Sequence, residues 1–217
     1  MTIFCIETST SVCSAAICKD GEPIKQCISF KGGNHSQLLP LYIEELLQFA
    51  RKENMTVNAV ALSEGPGSYT GLRIGASTAK GLCYGLEIPL IAVSTLEVLK
   101  VASGVKDAFM IPMIDARRME IYTMIDGETK AVVVENEDSL YSGEADVYYF
   151  GDGAEKCAEV FTKHNWHFVP DIVPEAQYVG MLAEKGNKKL EGKDLAYYEP
   201  FYLKEFIAAQ SHVKGLV

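Results

Sequence analysis

Three apolar runs of period two, at residues 2–6, 14–18 and 24–30, precede any helical pattern and limit the fold more than any other feature of the chain. Lys19-Asp20-Gly21-Glu22 joins the second run to the third as a hairpin turn, so the chain begins as an antiparallel meander. The period then changes. A helix is predicted from Ser36 to Lys52, a strand over 58–63, a helix over 71–86, a strand over 89–93 and a helix from Ser94, giving the order βββαβαβα. The same order returns in degenerate form: strands at 108–114, 119–125 and 130–135, with Asp126-Gly127 as a turn, lead to a strand at 146–150. Gly151-Asp152-Gly153 then opens a helix over 153–164, residues 166–169 read as a strand, and 174–185 read as a helix.

A meander followed by alternating helices and strands, present twice, predicts an α/β protein of two ribonuclease-H-like lobes. Each is a mixed sheet with helices, as in the actin, Hsp70 and sugar-kinase superfamily. The division falls near Ser103–Asp107, giving lobes of 1–104 and 105–217. With 48% hydrophobic residues in 217, there is enough apolar surface for real cores. No apolar run reaches the length of a membrane span, and Met1–Glu7 reads as a strand, so a cytoplasmic location without membrane contact is expected. The 29 acidic and 20 basic side chains, net −9, argue against autonomous nucleic-acid binding, which needs a concentrated positive face. RNA would have to be held by another subunit. The six cysteines include no Cys-x-x-Cys pair and are read as buried free thiols.

The chemically suggestive segment is Gly65-Pro66-Gly67-Ser68-Tyr69-Thr70-Gly71-Leu72-Arg73-Ile74-Gly75, which follows the apolar Val60-Ala61-Leu62 and opens the second helix. Ser68 or Thr70 can cap that helix, and its first N–H groups, backed by the helix dipole, have the geometry of an anion cradle. No Gly-Lys-Ser/Thr ends the segment, and the glycine spacing is not that of a dinucleotide fingerprint. A tight strand-to-helix turn, with glycines for close packing, is the competing reading. An ATPase of the actin-like superfamily also needs a carboxylate at the end of its first strand and a polar turn beyond it. Glu7 holds that position, and Thr8-Ser9-Thr10-Ser11 offers hydroxyls but neither glycine nor lysine. Glu7, Thr8, Ser9, Gly65, Gly67 and Ser68 are therefore the nucleotide-proximal candidates. Glu7 is read as structural, and no residue is assigned to catalysis.

Other chemistries find less support. His35, His164, His167 and His212 have no metal-ligand spacing, so no metal site is expected, and His35 is placed to organise the start of a helix. No Gly-x-Ser-x-Gly elbow appears, which leaves a peptidase only as a remote alternative. Asp115-Ala116-Arg117-Arg118 reads as a shaped strand turn.

The first two helices carry more apolar and small surface than one core contact needs. From Ser36, Leu38, Tyr42, Leu46 and Phe49 share an arc that Leu39, Ile43, Leu47 and Ala50 widen; burial between two layers or a partner surface would account for it. In the helix over 71–86, Gly71, Gly75, Thr78, Gly81 and Gly85 project to one side, with Arg73, Ser77, Lys80 and Tyr84 on the other. An interior glycine costs on the order of 1 kcal/mol relative to alanine, so close backbone approach should offset it, from a surface the sequence does not specify.

Phe4-Cys5-Ile6-Glu7-Thr8-Ser9-Thr10, the run over 65–75, Val93-Ser94-Thr95-Leu96-Glu97 and Ile114-Asp115-Ala116-Arg117-Arg118-Met119-Glu120-Ile121-Tyr122 resemble, in order, the TsaB (YeaZ) family. After residue 125 the resemblance rests on Gly151-Asp152-Gly153 and Pro200-Phe201-Tyr202-Leu203-Lys204. It implies a noncatalytic subunit that pairs with the related transferase TsaD and the ATPase TsaE, for threonylcarbamoyl transfer to adenosine next to the tRNA anticodon. It further implies that the first two helices form a helical-bundle interface with TsaD, or a homodimer in its absence. The interface candidates are Leu38, Leu39, Tyr42, Ile43, Leu46, Leu72, Arg73, Gly75, Ala76, Ala79 and Lys80. No cofactor is required by this chain; ATP or ADP would sit at the assembled complex, with tRNA bound only through it. TsaD carries a metal-binding HxxxH motif where this sequence has Ser94-Thr95-Leu96-Glu97-Val98-Leu99. The alternative is a weak nucleotide-binding ATPase of the actin-like group.

Overall fold

The structure, a computed structural model, describes residues 1–185 and 189–204. It begins with β1 (Thr2–Glu7), β2 (Cys13–Lys19) and β3 (Glu22–Ser29), the expected meander. Asp20 and Gly21 turn the β2–β3 hairpin with φ of 54° and 82°, the left-handed geometry that suits the strand twist. Next come α1 (His35–Lys52), β4 (Ala59–Gly65), α2 (Tyr69–Leu86), β5 (Leu90–Ser94) and α3 (Thr95–Ser103). β1 pairs antiparallel with β2 and parallel with β4, and β4 pairs parallel with β5, so these strands lie in the order β3-β2-β1-β4-β5. Every residue of the central β1 is buried because alternate side chains serve opposite faces. Phe4 and Ile6 pack with Leu39 and Leu46 of α1 and Ala76 and Ala79 of α2, whereas Ile3 and Cys5 point to the other face.

The second half repeats this topology. β6 (Phe109–Asp115), β7 (Glu120–Ile125) and β8 (Glu128–Val133) form another meander, followed by a 3-10 turn at Glu137–Ser139, β9 (Val147–Phe150), α4 (Ala154–Ala158), β10 (Trp166–Phe168) and α5 (Ala176–Ala183). The strand order is β8-β7-β6-β9-β10, with β9 parallel to both neighbours. Both lobes thus have the mixed α/β architecture read from the sequence. The repeat is eroded where α1 would stand, which holds only the 3-10 turn. α4 ends at Ala158 rather than reaching 164, because Phe161 leaves the helical path to stack edge-on against Tyr149 and Trp166 at centroid distances of 5.0 and 4.8 Å.

Two helices tie the lobes together. α3 sets Val98 against the first sheet, while Leu96 and Leu99 meet Ile114, Met124 and Phe150 of the second. α5 crosses back to the first sheet, where Ala176, Val179 and Ala183 cover the face carrying Ile3, Cys5 and Cys18. β11 (Lys189–Leu190) then pairs antiparallel with β5 at the sheet edge, and α6 (Gly192–Ala196) follows. A cut at 104/105 placed these later elements in the second lobe. They depart from it because the open apolar face of the first sheet is what α5 buries.

Candidate functional site

Between the lobes lies a cleft of about 760 Å³. Its first-lobe wall includes Ser9, Thr10, Ser11, His35, Gly67 and Ser68, its second-lobe wall Asp115, Arg117, Tyr122 and Asp152, and its rim Tyr202 and Lys204. Glu7, Thr8 and Gly65 do not line it.

The first-lobe wall is closed on itself. Glu7 is fully buried; its Oε1 accepts the Ser9 N–H at 2.6 Å and the Ser9 hydroxyl at 2.5 Å, and its Oε2 accepts the Ser63 hydroxyl. Burial pushes its pKa above the ordinary carboxylate value, against the pull of the Ser63 and Ser9 donors. The glycine turn is built for contact with this loop: a Cβ on Gly67 would overlap the Ser9 carbonyl, and one on Gly71 the Thr8 carbonyl. The Ser68 N–H donates to Ser9 O at 2.6 Å, the Thr8 hydroxyl donates to Gly71 O at 2.9 Å, and the Ser68 hydroxyl caps α2 by accepting from Gly71 N–H at 3.3 Å. The N–H groups of Ser68 and Gly71 are therefore committed inside the protein. A triphosphate would find hydroxyls on this wall but no lysine, so these residues do not fit a phosphate-transfer cradle.

The second-lobe wall is charged. Asp115 ends β6 as Glu7 ends β1, and it too accepts the N–H two residues on, from Arg117 at 3.0 Å. Unlike Glu7 it is exposed, and it pairs with Lys156, whose Nζ also donates to Glu120 O at 2.7 Å. Asp152, in the glycine turn after β9, accepts the Asp115 N–H at 2.9 Å, and desolvation by the surrounding cleft is the main cause of its raised pKa.

A segment over 197–204 crosses the mouth of the cleft from α6. The Phe201 N–H donates to Glu64 O at 2.7 Å, and the Phe201 carbonyl occupies the space a Gly65 Cβ would need, beside a glycine whose φ of 120° already excludes other residues. The Tyr202 ring lies 4.8 Å from Tyr69, its hydroxyl accepts from Arg73 Nε at 3.4 Å, and Lys204 pairs with Glu120. Sequence reasoning did not place this segment at the cleft; its only signal was the motif Pro200–Lys204.

The helix positions nominated for a partner divide. Leu39, Leu46, Leu72, Gly75, Ala76 and Ala79 are buried in the protein's own fold, and Leu38, Tyr42 and Ile43 are half-buried against the same core. α1 and α2 share one sheet face, so their apolar arcs converge there. Arg73 is engaged by Tyr202, and Lys80 Nζ donates to Ala196 O at 2.7 Å and Tyr198 O at 3.2 Å. The outer surface of the helices instead carries Leu41, 60% exposed, with Ser77, Gly81 and Tyr84 on α2. Gly81 belongs with Ser77 and Tyr84, not with the packed Gly71 and Gly75.

His35 is structural. His35 Nε2 lies 3.0 Å from Thr10 O and 3.2 Å from Val12 O; both are acceptors, so this nitrogen carries the proton and pins the start of α1. His167 contacts Asp146 at 2.9 Å, His164 is exposed, and His212 lies outside the described residues. Among the described residues, no group of three or more His, Cys, Asp or Glu side chains is placed to hold a metal ion, and no helix is long and apolar enough to cross a membrane. Five cysteines are buried and Cys27 is half-buried. Burial pushes the thiols of Cys13, Cys83 and Cys157 up to about 11.

Residues 31–209 match the family described as TsaD, tRNA N6-adenosine threonylcarbamoyltransferase. The tRNA threonylcarbamoyladenosine biosynthesis protein TsaB of Bacillus subtilis is 36% identical over 123 residues, covering 57% of this chain and 54% of that protein. The protein of the same name from Escherichia coli is 35% identical over 124 residues, covering 56% and 53%. The chain thus spans about half the length of the curated relatives it matches. Among solved structures, YeaZ from Pseudomonas aeruginosa superposes with a TM-score of 0.73 at 25% identity, covering 93% of this chain and 99% of that one. With its sheet topology and motifs, these likenesses show that the chain belongs to the TsaB (YeaZ) group of the TsaD family.

Proposed function

We propose that the chain is the noncatalytic partner subunit of a TsaD-like transferase, serving threonylcarbamoyl transfer to adenosine next to the tRNA anticodon. A TsaE-like ATPase and ATP complete the cytoplasmic assembly, in which nucleotide is bound at the complex and not hydrolysed by this chain. The relatives' names support the pathway, since the Bacillus subtilis and Escherichia coli proteins are both named for tRNA threonylcarbamoyladenosine biosynthesis. The observation that carries the noncatalytic role is Glu7: the strand-end carboxylate is buried, saturated by Ser9 and Ser63, and absent from the cleft wall.

The outer face of α2 is the docking surface in this reading. A Cβ at Gly81 would meet nothing within 4 Å, so the chain's own packing does not offset the cost of that glycine; a second backbone lying across it would. Tyr84, 86% exposed beside it, is the kind of aromatic anchor that dominates interfaces. Without the transferase, the same face pairs with a second copy.

The purified chain should not hydrolyse ATP, and tRNA modification should appear only when the TsaD-like and TsaE-like subunits are added. ATP hydrolysis by the chain alone, abolished in a folded Glu7→Gln variant, would overturn this reading in favour of a weak ATPase.

A further inference from the structure

The β6–β7 hairpin does more than join two strands. Its tip holds Arg117 and Arg118 at φ of 72° and 52°, a left-handed conformation that few non-glycine residues adopt and that asparagine or glycine would accept more readily. The tip is braced from within: Asp115 accepts the Arg117 N–H at 3.0 Å, the Glu120 N–H donates to Arg117 O at 3.1 Å, and the Ala116 N–H donates to Glu120 O at 3.1 Å. The acids at its base are already matched, Asp115 by Lys156 and Glu120 by Lys204. Among the described residues, no carboxylate is ion-paired with either arginine, and both are exposed. Arg117 thus lines the cleft and Arg118 stands exposed next to it on a hydrogen-bonded tip, in a chain of net charge −9. Backbone strain kept for a pair of side chains suggests a use for them.

We propose that this tip contacts the phosphate backbone of RNA. A polyanion is repelled by an acidic chain except where positive charge is concentrated and uncompensated, and the guanidinium fork matches phosphate oxygens in a bidentate manner. Such contacts fix position and carry no sequence preference. The inference rests on the proposed function, which brings tRNA to the assembly; the tip then supplements a site held mainly by the other subunits.

The test uses the assembled complex of this chain with its TsaD-like and TsaE-like subunits, titrated with tRNA over a series of salt concentrations. Arg117→Asn with Arg118→Gly removes both charges and eases the backbone. This variant should melt at or above the temperature of the parent chain and assemble normally. It should bind tRNA several-fold more weakly, with the slope of log K against log salt reduced by about 1 to 2. Arg117→Lys with Arg118→Lys should recover most of the slope. An Asn-Gly variant that binds tRNA with unchanged affinity and slope overturns the proposal alone. So does one that loses partner association instead, since the arginines would then serve an acidic protein surface. A parent complex that binds no tRNA overturns the functional reading and the proposal with it.

Discussion

Gly71 and Gly81 lie on one helix, yet replacing each by alanine should shift stability in opposite directions. At Gly81 the new methyl meets nothing within 4 Å, so only the backbone terms act: the gain in helix propensity and the reduced freedom of the unfolded chain. Together these stabilise by about 0.5–1 kcal/mol, or roughly 1–4 °C in Tm for a domain of this size. At Gly71 the methyl would overlap the Thr8 carbonyl, and the fixed Glu7–Ser9 loop leaves little room to retreat. Overpacking of that kind costs about 1–3 kcal/mol, and propensity counts for less so near the helix start. The two variants should therefore differ by about 1.5–4 kcal/mol. Urea unfolding with unchanged m-values would measure the difference. In the same preparations, Gly81→Ala should weaken association with the proposed transferase partner, because the methyl occupies the surface that the proposed docking places against a second helix. A destabilised Gly81→Ala, or a neutral Gly71→Ala, would refute the assignment of the two glycines to different faces.

The Glu7 carboxyl and the thiols supply two further expectations. Burial raises the folded-state pKa of Glu7 above its ordinary 4.5, so the folded protein holds that proton more tightly than the unfolded chain does. Its contribution to stability is then fully present below pH 4.5 and lost as pH rises through the folded value. Glu7→Gln should flatten that part of the stability–pH curve, whereas Glu7→Ala should cost about 2–4 kcal/mol by stranding the Ser9 and Ser63 donors; an unchanged slope in Glu7→Gln counts against the assignment. In the native protein at pH 8, a thiol reagent should modify Cys27 alone, and slowly, with Cys13, Cys83 and Cys157 reacting only on unfolding. Rapid reaction of a second thiol would show that the packed faces open.

Much of the fold is legible because strand alternation is a local property. Ile3 and Cys5 against Phe4 and Ile6 reveal a strand buried on both faces wherever the covering helices come from. Destinations are not local. The apolar positions of α5 announce a face to bury, but whether it lies on the nearer sheet or crosses to Cys5 and Cys18 depends on the arrangement of the lobes. The same limit explains the helix faces. Projection groups Gly71, Gly75 and Gly81 together, yet only the first two lie over the loop after β1, which ends before Gly81. The segment over 197–204 left almost no periodic signal, because it is held by single hydrogen bonds, one from the Phe201 N–H and one accepted by the Tyr202 hydroxyl, rather than by an apolar stripe.

The duplicated topology makes the difference between the two strand ends informative. Both Glu7 and Asp115 accept the N–H two residues along, a local bond that any carboxylate at a strand end can make. The longer Glu7 also reaches the Ser63 hydroxyl on the neighbouring strand and is withdrawn from the cleft. Asp115 remains in the cleft, where Lys156 offsets its charge and its bond to the Arg117 N–H holds the tip in a left-handed turn. With Lys204 offsetting Glu120 as well, neither acid draws a guanidinium inward. The first lobe's hydrogen bonds thus end inside the protein, while the second lobe's leave positive charge facing out. That difference is why the two contacts proposed above fall on the outer face of α2 and on the hairpin tip, and not at the glycine turn in the cleft.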